Sequence, residues 1–378
     1  MSDLVSARAR ATARAWWGAD DDERLARAAW SVLGEPGDGV AGALRAAYGA
    51  AGALERVADP APDAARAVRE GVLRWRPRWD PARVEAAVAI GARRGLALVI
   101  PGDPAWPEGL ADLGAHAPAC LWVRGDPAAL ARPRSAALVG ARAATAYGEH
   151  VTAEIAGDLA RSGVTVVSGA AYGIDGAAHR AALQGEGPTI AYVAGGADRV
   201  YPAGHAALLE QIARAGAVAA ECPPGTTPTR WRFLARNRLI AAHAAATVIV
   251  EAGARSGSIN TAGHAAALGR PLGAVPGPVT SSTSSGCHRL LREYAAVCIT
   301  RAADVRELLG EADPAPPVAT DPPPEVVRVA DALTRRRAQG VGEIAARSGL
   351  APDEVESALG LLVLEGAARR TAEGWLEA

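Results

Sequence analysis

Arginine and aromatic residues concentrate in one short stretch of the sequence. Arg230–Arg238 contains four arginines and two aromatic residues. On a helix, Arg232 and Arg236 share one face, with Phe233 and Asn237 beside them. Arginine can make two parallel hydrogen bonds to a phosphate, and aromatic rings can stack on unpaired bases. The stretch therefore predicts contact with a nucleic acid strand; the alternative is an amphipathic helix with solvated arginines and Phe233 in the core.

Loops of small and polar residues follow several apolar runs, and they have the composition of phosphate-binding loops. Gly140–Arg142 places a guanidinium beside a helix that begins near Thr145, where an anion is favoured. Glycines in the other loops permit a phosphate to approach the backbone closely, and successive amides and hydroxyls form an anion-binding nest. The candidate residues in these loops are Arg142, Ser168, Gly169, Gly173, Gly195, Gly196, Ser256, Gly257 and Ser258.

Each of these loops also has a purely structural interpretation. Arg142 could be a solvated loop residue, and Asp175 and Ser258 could simply cap the helices that follow them. His179 is more typical of a packed helix residue than of a catalyst, and Tyr201-Pro202 is more typical of a helix start than of chemistry.

Motifs of several enzyme classes are absent from the sequence. All 40 basic residues are arginine, so the lysine of a P-loop ATPase is missing. There is no GxSxG or HExxH motif and no cluster of metal-binding carboxylates, and the loop Ser168–Asp175 lacks the GxGxxG spacing of a dinucleotide site. The four cysteines lack zinc-site spacing. We therefore predict no catalytic residue, no cofactor, no metal and no disulfide, as in a protein of the reducing cytoplasm.

Charge is distributed unevenly along the chain. The formal net charge is −1, yet residues 131–310 contain 17 arginines against 12 acidic residues. The middle of the chain is therefore the segment that we expect to bind a polyanion. No apolar run is long enough to span a membrane, and the N-terminus does not resemble a signal peptide, so we expect a cytoplasmic protein without membrane contact.

Seven short apolar runs alternate with helix-sized segments from Ala136 onward. The runs are AALVG, VTVVSG, TIAYVAGG, AVAAE, TVIVEAG, PLGAVPG and AVCIT. Continuous apolar strands between helices indicate a parallel sheet covered on both faces. The fold class is therefore α/β, with a doubly wound Rossmann-like domain whose strand ends carry the candidate loops.

The remaining segments surround this domain. We predict a helical N-terminal domain at residues 1–85 and a bridge at residues 86–130 that leads into the Rossmann-like domain at residues 131–310. A linker with six prolines follows at residues 311–325, and a winged-helix module at residues 326–378. Within the first two segments we expect helices at Glu23–Val32, Gly42–Ala58 and Ala82–Arg94, and a strand at Ala97–Ile100.

The helix expected at Asp353–Glu365 is acidic and lacks arginine. Phosphates would repel it from a DNA groove, so we predict that the C-terminal module contacts protein rather than reading a DNA sequence. Basic residues of the module lie at Arg335–Arg337 and Arg369–Arg370 and could make only weak phosphate contacts. We expect the apolar residues of the helix to form core, namely Val355, Leu359, Leu362 and Val363.

Taken together, these motifs resemble the DNA-processing protein A family, DprA or Smf. The resemblance rests on VSGAAYGIDGAAHRAAL, GGADRVYPAGH, ECPPGTTPTRWRFLARNRLIA, VIVEAGARSGSINTAGHAAALGR and PGPVTSSTSSGCHRLLREYA, and covers about residues 97–310. It implies an extended Rossmann fold, ATP-independent binding of single-stranded DNA, a homodimer, interaction with the RecA recombinase and a role in natural transformation, where the protein protects incoming DNA and helps load RecA.

The resemblance also implies which residues contact DNA. Carried over by motif, they are Arg142, Ser168, Gly169, Phe233, Arg236, Asn237 and Arg238. Two positions depart from the family pattern: Ala141 stands where a serine is common, and Ala242-His243 where Gly-Leu is usual.

An enzymatic alternative is a nucleotide phosphoribohydrolase, because such Rossmann-like enzymes also have glycine-rich strand ends. Their PGGxGTxxE signature is absent, and the nearest run here, EAGARSG, has no glutamate at the catalytic place. Release of free base from nucleoside monophosphates would distinguish the enzyme from a binding protein.

Overall fold

The computed structural model describes residues 4–311 and 322–378. The chain divides into two compact units, Met1–Asp313 and Pro314–Ala378. Most of the linker that we predict at residues 311–325 lies outside the described residues. None of the described helices is both long enough and apolar enough to cross a membrane.

One large α/β sheet organises the first unit. Its strands are β1 Ala97–Val99, β2 Leu121–Gly125, β3 Ser135–Val139, β4 Thr165–Ser168, β5 Thr189–Val193, β6 Ala217–Ala220, β7 Ala246–Ile249, β8 Leu272–Ala274 and β9 Val297–Cys298. They are arranged in the order β1-β2-β6-β5-β4-β3-β7-β8-β9. The strands from β3 to β9 run parallel to one another, so the predicted mostly parallel α/β sheet is confirmed.

Helices connect the parallel strands and cover the faces of the sheet. They are α6 Ala146–Arg161, α7 Ile174–Gln184, α8 Ala206–Ala215, α9 Arg230–His243, α10 Ser258–Ala267, α11 Ser285–Glu293 and α12 Ala302–Leu308. Every residue of β3 to β8 is buried, because helices lie on both sides. Helix α6 begins where the sequence predicts: the Thr145 hydroxyl accepts a hydrogen bond from the amide of Gly148 at 3.1 Å.

Two antiparallel strands extend the sheet beyond β6. Strand β2 pairs with β6 and with β1. We expected β1 but not β2, which belongs to the segment that we interpreted as a bridge. The sheet therefore includes part of the chain before residue 131.

From residue 4 onward, five α-helices precede the sheet in sequence. They are α1 Ala7–Trp17, α2 Asp22–Leu33, α3 Gly39–Ala58, α4 Arg66–Trp75 and α5 Pro81–Arg93. Trp30 and Trp75 meet edge to face with ring centroids 5.3 Å apart, and Trp16 stacks on Trp122 of β2. One buried cluster contains side chains of these helices together with Ala191 and Val218 of the sheet. The N-terminal helices therefore pack on the same sheet that the parallel strands form.

The described part of the second unit, residues 322–378, consists of three α-helices followed by a hairpin. Its elements are α13 Pro324–Ala332, α14 Val341–Ser348, α15 Pro352–Leu364, β10 Ala368–Thr371 and β11 Gly374–Glu377. Val355, Leu359 and Leu362 of α15 are buried as expected. Val363 was wrongly assigned to the core: its side chain is 42% exposed, because it follows Leu362 by one residue and so faces about 100° away.

Candidate nucleic-acid interface

A groove lies beyond the carboxyl ends of β3 and β7, the neighbouring strands at which the strand order reverses. Open α/β sheets bind ligands at this point. The groove has a volume of about 880 Å³, and its walls are the loop 140–142, the start of α9 and the loop 253–258. A smaller cavity of about 50 Å³ adjoins it and shares Arg142, Tyr201 and Phe233 with it.

Arg142 and Phe233 form the wall between these two spaces. The guanidinium carbon of Arg142 lies 4.7 Å from the centroid of the Phe233 ring, which is a cation–π contact. Phe233 is only partly buried, and the ring of Tyr201 lies 5.4 Å from it, centroid to centroid. This cluster presents aromatic faces and a positive charge to the same space. Such a surface is suited to a base and its phosphate.

Glu251, at the end of β7, holds the Arg142 loop in place. Its carboxylate accepts hydrogen bonds from the amide and the hydroxyl of Thr145, both at 2.9 Å. Its carbonyl oxygen accepts from the amide of Ala141 at 2.7 Å. Glu251 is 2% exposed, and it fixes the loop that carries Arg142.

Arg236 lies in the floor of the groove, almost fully buried. Its Nη1 donates to the carbonyl oxygen of Tyr192 at 2.7 Å, and only 5% of the residue is exposed. Burial lowers the pKa of Arg236 to about 10; the Asp175 carboxylate opposes this fall, and the positive charge of Arg142 adds to it. Burial has the opposite effect on an acid and raises the pKa of Asp175. The charge of Arg236 and hydrogen bonds from the amides of Ala171, Gly140 and Gly169 oppose this rise. Arg236 remains charged at neutral pH and places positive potential beneath the groove.

Gly169 makes room for this buried guanidinium. A β-carbon at position 169 would lie 1.8 Å from Nη1 of Arg236, far inside van der Waals contact. The glycine after β4 is therefore required by Arg236, and the approach of a phosphate to this glycine stays a prediction.

The side chains of Arg238 and Ser168, and Gly173 as well, line neither the groove nor the smaller cavity. Arg238 points to the other side of α9, where it makes bonds of 2.8 and 2.7 Å to Glu221 and two further bonds to the carbonyl of His116. Ser168 is fully buried, and its hydroxyl donates to the carbonyl of Leu138 at 2.6 Å. Both side chains are engaged inside the fold.

Asn237 and the loop before α10 meet at the far wall of the groove. The side-chain amide of Asn237 donates to the carbonyl of Gly257 and to Oδ1 of Asn260, both at 3.3 Å. The hydroxyls of Ser256 and Ser258 lie 2.7 Å apart. Gly257 occupies the N-cap position, so Ser258 does not cap α10, and the helix N-terminus faces the groove through a loop of small residues.

The remaining predicted glycines allow close contacts between loops. Gly173 has a φ of +75°, and a β-carbon there would lie 2.2 Å from the carbonyl oxygen of Ala141. Gly195 and Gly196 line the smaller cavity and pack against the backbone of residues 223–226, where a β-carbon would come within 2.8 Å of a carbonyl oxygen. Each of these glycines has a packing reason in addition to any contact with a ligand.

Several groove residues were not in our predicted set. Arg230 and Arg255 are exposed and line the groove, and Arg199 and Tyr201 line the adjoining cavity. In the part of the chain that the structure describes, no ion pair engages Arg142, Arg230 or Arg255. Arg230 stands in the arginine-rich stretch itself, so composition alone could have identified it.

The structural alternatives for the nearby polar residues can now be distinguished. Asp175 is not the N-cap of α7, because Gly173 has that position. His179 is fully buried, with Nδ1 2.7 Å from the Thr189 hydroxyl, and burial lowers its pKa to about 3. Within the described ranges, no group of three or more His, Cys, Asp or Glu side chains could hold a metal ion.

Comparison with protein families gives a match over residues 97–310 to the DNA recombination-mediator protein A family. A putative DNA processing protein DprA of Mycobacterium tuberculosis H37Rv is 55% identical over 250 residues, which are 64% of this chain and 64% of the relative. The DNA processing protein DprA of Bacillus subtilis is 36% identical over 182 residues, 48% of this chain and 61% of the relative. The chain thus matches less than two thirds of the length of either relative.

Two solved structures have a similar fold. DNA processing protein A of Streptococcus pneumoniae has a TM-score of 0.62 and 28% identity, over 76% of this chain and 96% of that one. DNA processing protein A of Helicobacter pylori, whose structure describes a single-stranded DNA binding mode, has a TM-score of 0.52 and 28% identity, over 58% of this chain and 99% of that one.

Proposed function

This chain belongs to the DNA recombination-mediator protein A family, and from that premise we propose that its groove binds single-stranded DNA. The observation that carries the proposal is the charge of the groove. Arg142, Arg230 and Arg255 line it without carboxylate partners among the described residues, and Asp175 is the acidic residue that faces them. The H. pylori relative binds single-stranded DNA, which supports the same ligand here.

The aromatic wall favours single strands over duplexes. Phe233 and Tyr201 can stack only on bases that are free of a complementary strand. Stacking tolerates every base, and arginine–phosphate contacts are independent of sequence. We therefore propose binding that prefers single strands and shows little sequence dependence, with Arg142, Phe233, Arg236, Asn237 and the 256–258 loop in contact with or beneath the strand.

The wider role that we propose is that of a mediator rather than an enzyme. Bound single strands would be protected and passed to the RecA recombinase during recombination and natural transformation, in the cytoplasm and without ATP. A homodimer would join two grooves and increase avidity. The phosphoribohydrolase alternative gains no support from Glu251, because its carboxylate is engaged by Thr145.

The domain organisation is part of this proposal. We propose a helical domain over 1–85, a bridge over 86–130, a Rossmann-like DNA-binding domain over 131–310, and a winged helix over 326–378 that follows a linker. In the last module, Arg335 pairs with Glu377 at 2.9 Å, and Arg337 pairs with Glu343. Because these arginines are partly neutralised, the module is better suited to a protein partner than to duplex DNA.

A salt-dependent titration tests the proposed function. The anisotropy of a labelled single strand and of the matching duplex would be measured with the parent, with Arg142→Ala and with Arg161→Ala as control. Arg161 is exposed at the end of α6, on the opposite edge of the sheet. We expect Arg142→Ala to reduce the log–log salt slope by about 0.7, the value of one phosphate contact on a single strand. Equal slopes for all three proteins would place the DNA site elsewhere.

A further inference from the structure

A separate cavity of about 410 Å³ lies between the N-terminal helices and the loop that follows β6. Residues of α2, α3 and α5 line one side, and the segment 221–227 with Arg232 lines the other. The volume falls in the range of small-molecule sites, roughly 300–1,000 Å³. The proposed function makes no use of this cavity.

The carboxylates that line the cavity are all engaged by other groups. Glu35 lies between Arg78 and Arg232, with Arg232 Nη2 at 2.8 Å. Burial alone would raise the pKa of Glu35, but hydrogen bonds from these two arginines hold it below its usual value. Asp38 accepts a bond from the Trp75 indole at 2.9 Å, and Glu221 is paired with Arg238 outside the cavity.

Two arginines of the cavity have no such partner. Arg45 donates to the carbonyl oxygen of Ala117 at 3.1 Å, and its guanidinium lies 5.7 Å from the centroid of a Trp30 ring. Burial lowers the pKa of Arg45 to about 10, so it is still protonated at neutral pH. Arg83 is exposed at the cavity and has no ion pair among the described residues. Two guanidinium groups that form no ion pair with a described carboxylate indicate an anionic ligand.

The first turn of α9 connects this cavity to the groove. Arg230 lines the groove and Arg232 lines the cavity. Successive helix residues are about 100° apart, so Trp231 points between these two directions. Its side chain is 61% exposed. The loop before the helix is shared in the same way, with Thr227 in the cavity and Thr229 in the groove.

We propose that the cavity binds a nucleotide of the same DNA strand that occupies the groove, so that the N-terminal helices continue the track for single-stranded DNA. The strand passes over Trp231, on which a base stacks, and its next phosphate meets Arg83 and Arg45. The two spaces are lined by neighbouring residues of one loop and one helical turn, which favours the DNA strand over a free nucleotide. This inference rests on the proposed function, because it requires that the groove binds DNA.

A length series measures whether the track extends this far. Oligothymidylates of about 6 and about 16 nucleotides would be titrated with the full-length parent, Arg83→Gln and Trp231→Ala. Both side chains are exposed, so neither change disturbs the core. Arg93→Gln is the matched control, since Arg93 is exposed on the same helix about 15 Å farther along. We expect the two variants to bind the short strand like the parent and the long strand roughly fivefold more weakly or worse.

Thiol protection gives a second readout that does not depend on affinity. Cys120, Cys222 and Cys287 are buried and Cys298 is exposed, so Cys298→Ser provides a background of low reactivity. Ala86→Cys adds a thiol at the cavity, and Leu73→Cys adds an exposed control outside its lining. We expect the long strand to protect the thiol at position 86 from maleimide, while the short strand and thymidine monophosphate leave it reactive.

The outcomes separate the two proposals. A parent that binds neither strand refutes the proposed function and this inference with it. Equal binding of the long strand by parent, Arg83→Gln and Trp231→Ala, with an unprotected thiol, overturns the extended track and leaves the groove intact. Protection by thymidine monophosphate but not by the long strand also overturns it, in favour of a separate nucleotide site.

Discussion

The substitution Gly169→Ala tests the relation between the glycine loop and the buried arginine beneath the groove. The added methyl group would lie 1.8 Å from Nη1 and 2.4 Å from Cζ of Arg236. Ordinary contact begins at 3.4 Å, so the guanidinium must move by at least about 1.5 Å. It cannot do so freely, because only 5% of Arg236 is exposed and Nη1 is bonded to the carbonyl of Tyr192.

The expected cost follows from these contacts. Overpacking a filled site costs about 1–3 kcal/mol. Loss of a hydrogen bond from a charged donor to the Tyr192 carbonyl adds about 1.5–3 kcal/mol. The smaller conformational freedom of alanine in the unfolded chain offsets about 0.4–1 kcal/mol. We therefore expect Gly169→Ala to lower the free energy of unfolding by about 1.5–5.5 kcal/mol.

Urea unfolding followed by tryptophan fluorescence measures this change, because eight of the nine tryptophans precede residue 312. Gly263→Ala is the matched control, since a β-carbon there meets no atom within 4 Å. The double variant Gly169→Ala with Arg236→Met should lose less stability than the sum of the single changes, because the clash is then relieved. A Gly169→Ala protein as stable as the parent, or strictly additive changes, would refute the reasoning.

Four further predictions concern other parts of the molecule. Glu251→Gln should weaken single-strand binding, because the amide has one oxygen and cannot accept both hydrogen bonds from Thr145 that fix the Arg142 loop. Fluorescence anisotropy of a labelled strand measures the loss of affinity. An equal loss in the exposed control Glu149→Gln would contradict this explanation. Arg238→Met breaks a buried ion pair, so it should lower the free energy of unfolding in urea by about 3–5 kcal/mol. The salt slope of DNA binding should stay unchanged; a smaller slope would mean that Arg238 contacts a phosphate. Burial lowers the pKa of His179 in the folded protein to about 3 from an ordinary 6.5. The stability that the neutral imidazole contributes is therefore complete above pH 6.5 and is lost as the pH falls toward 3. A His179→Asn protein whose unfolding has the same pH dependence as the parent's would show that His179 is not the source of that dependence. A chain that ends near residue 312 should retain most single-strand affinity, and the fragment 322–378 should bind duplex DNA only weakly; tight, sequence-selective duplex binding by that fragment would refute a protein-interaction role.

The parallel sheet could be predicted from sequence because burial on both faces leaves a local signal. Strands such as Thr189–Val193 are apolar without alternation, and a glycine or polar residue follows each. Strand β2 was missed because Leu121–Gly125 lies before the regular alternation of apolar runs and helix-sized segments, which begins at Ala136. Its partner β6 lies almost 100 residues later in sequence, at the edge of the parallel sheet. Pairing at such a separation cannot be read from a local pattern.

The groove itself was predicted better than the role of each arginine. Arg236 and Arg238 are two residues apart in one motif, so composition treats them alike. Their different environments depend on distant residues: Tyr192 and Gly169 for the first, Glu221 and His116 for the second. Helical spacing assigns a face to each side chain, but it does not reveal which face meets a carboxylate from another element.

The placement of the candidate sites at the carboxyl edge of the sheet leaves the amino edge available as an attachment surface. The turn between α6 and β4 lies there, and Gly163 at its tip is exposed with a φ of +77°. A dye or an immobilising tag inserted at this turn would lie one full strand length away from the groove loops. Surface-tethered molecules anchored in this way would present the groove to solution, which suits single-molecule observation of strand capture.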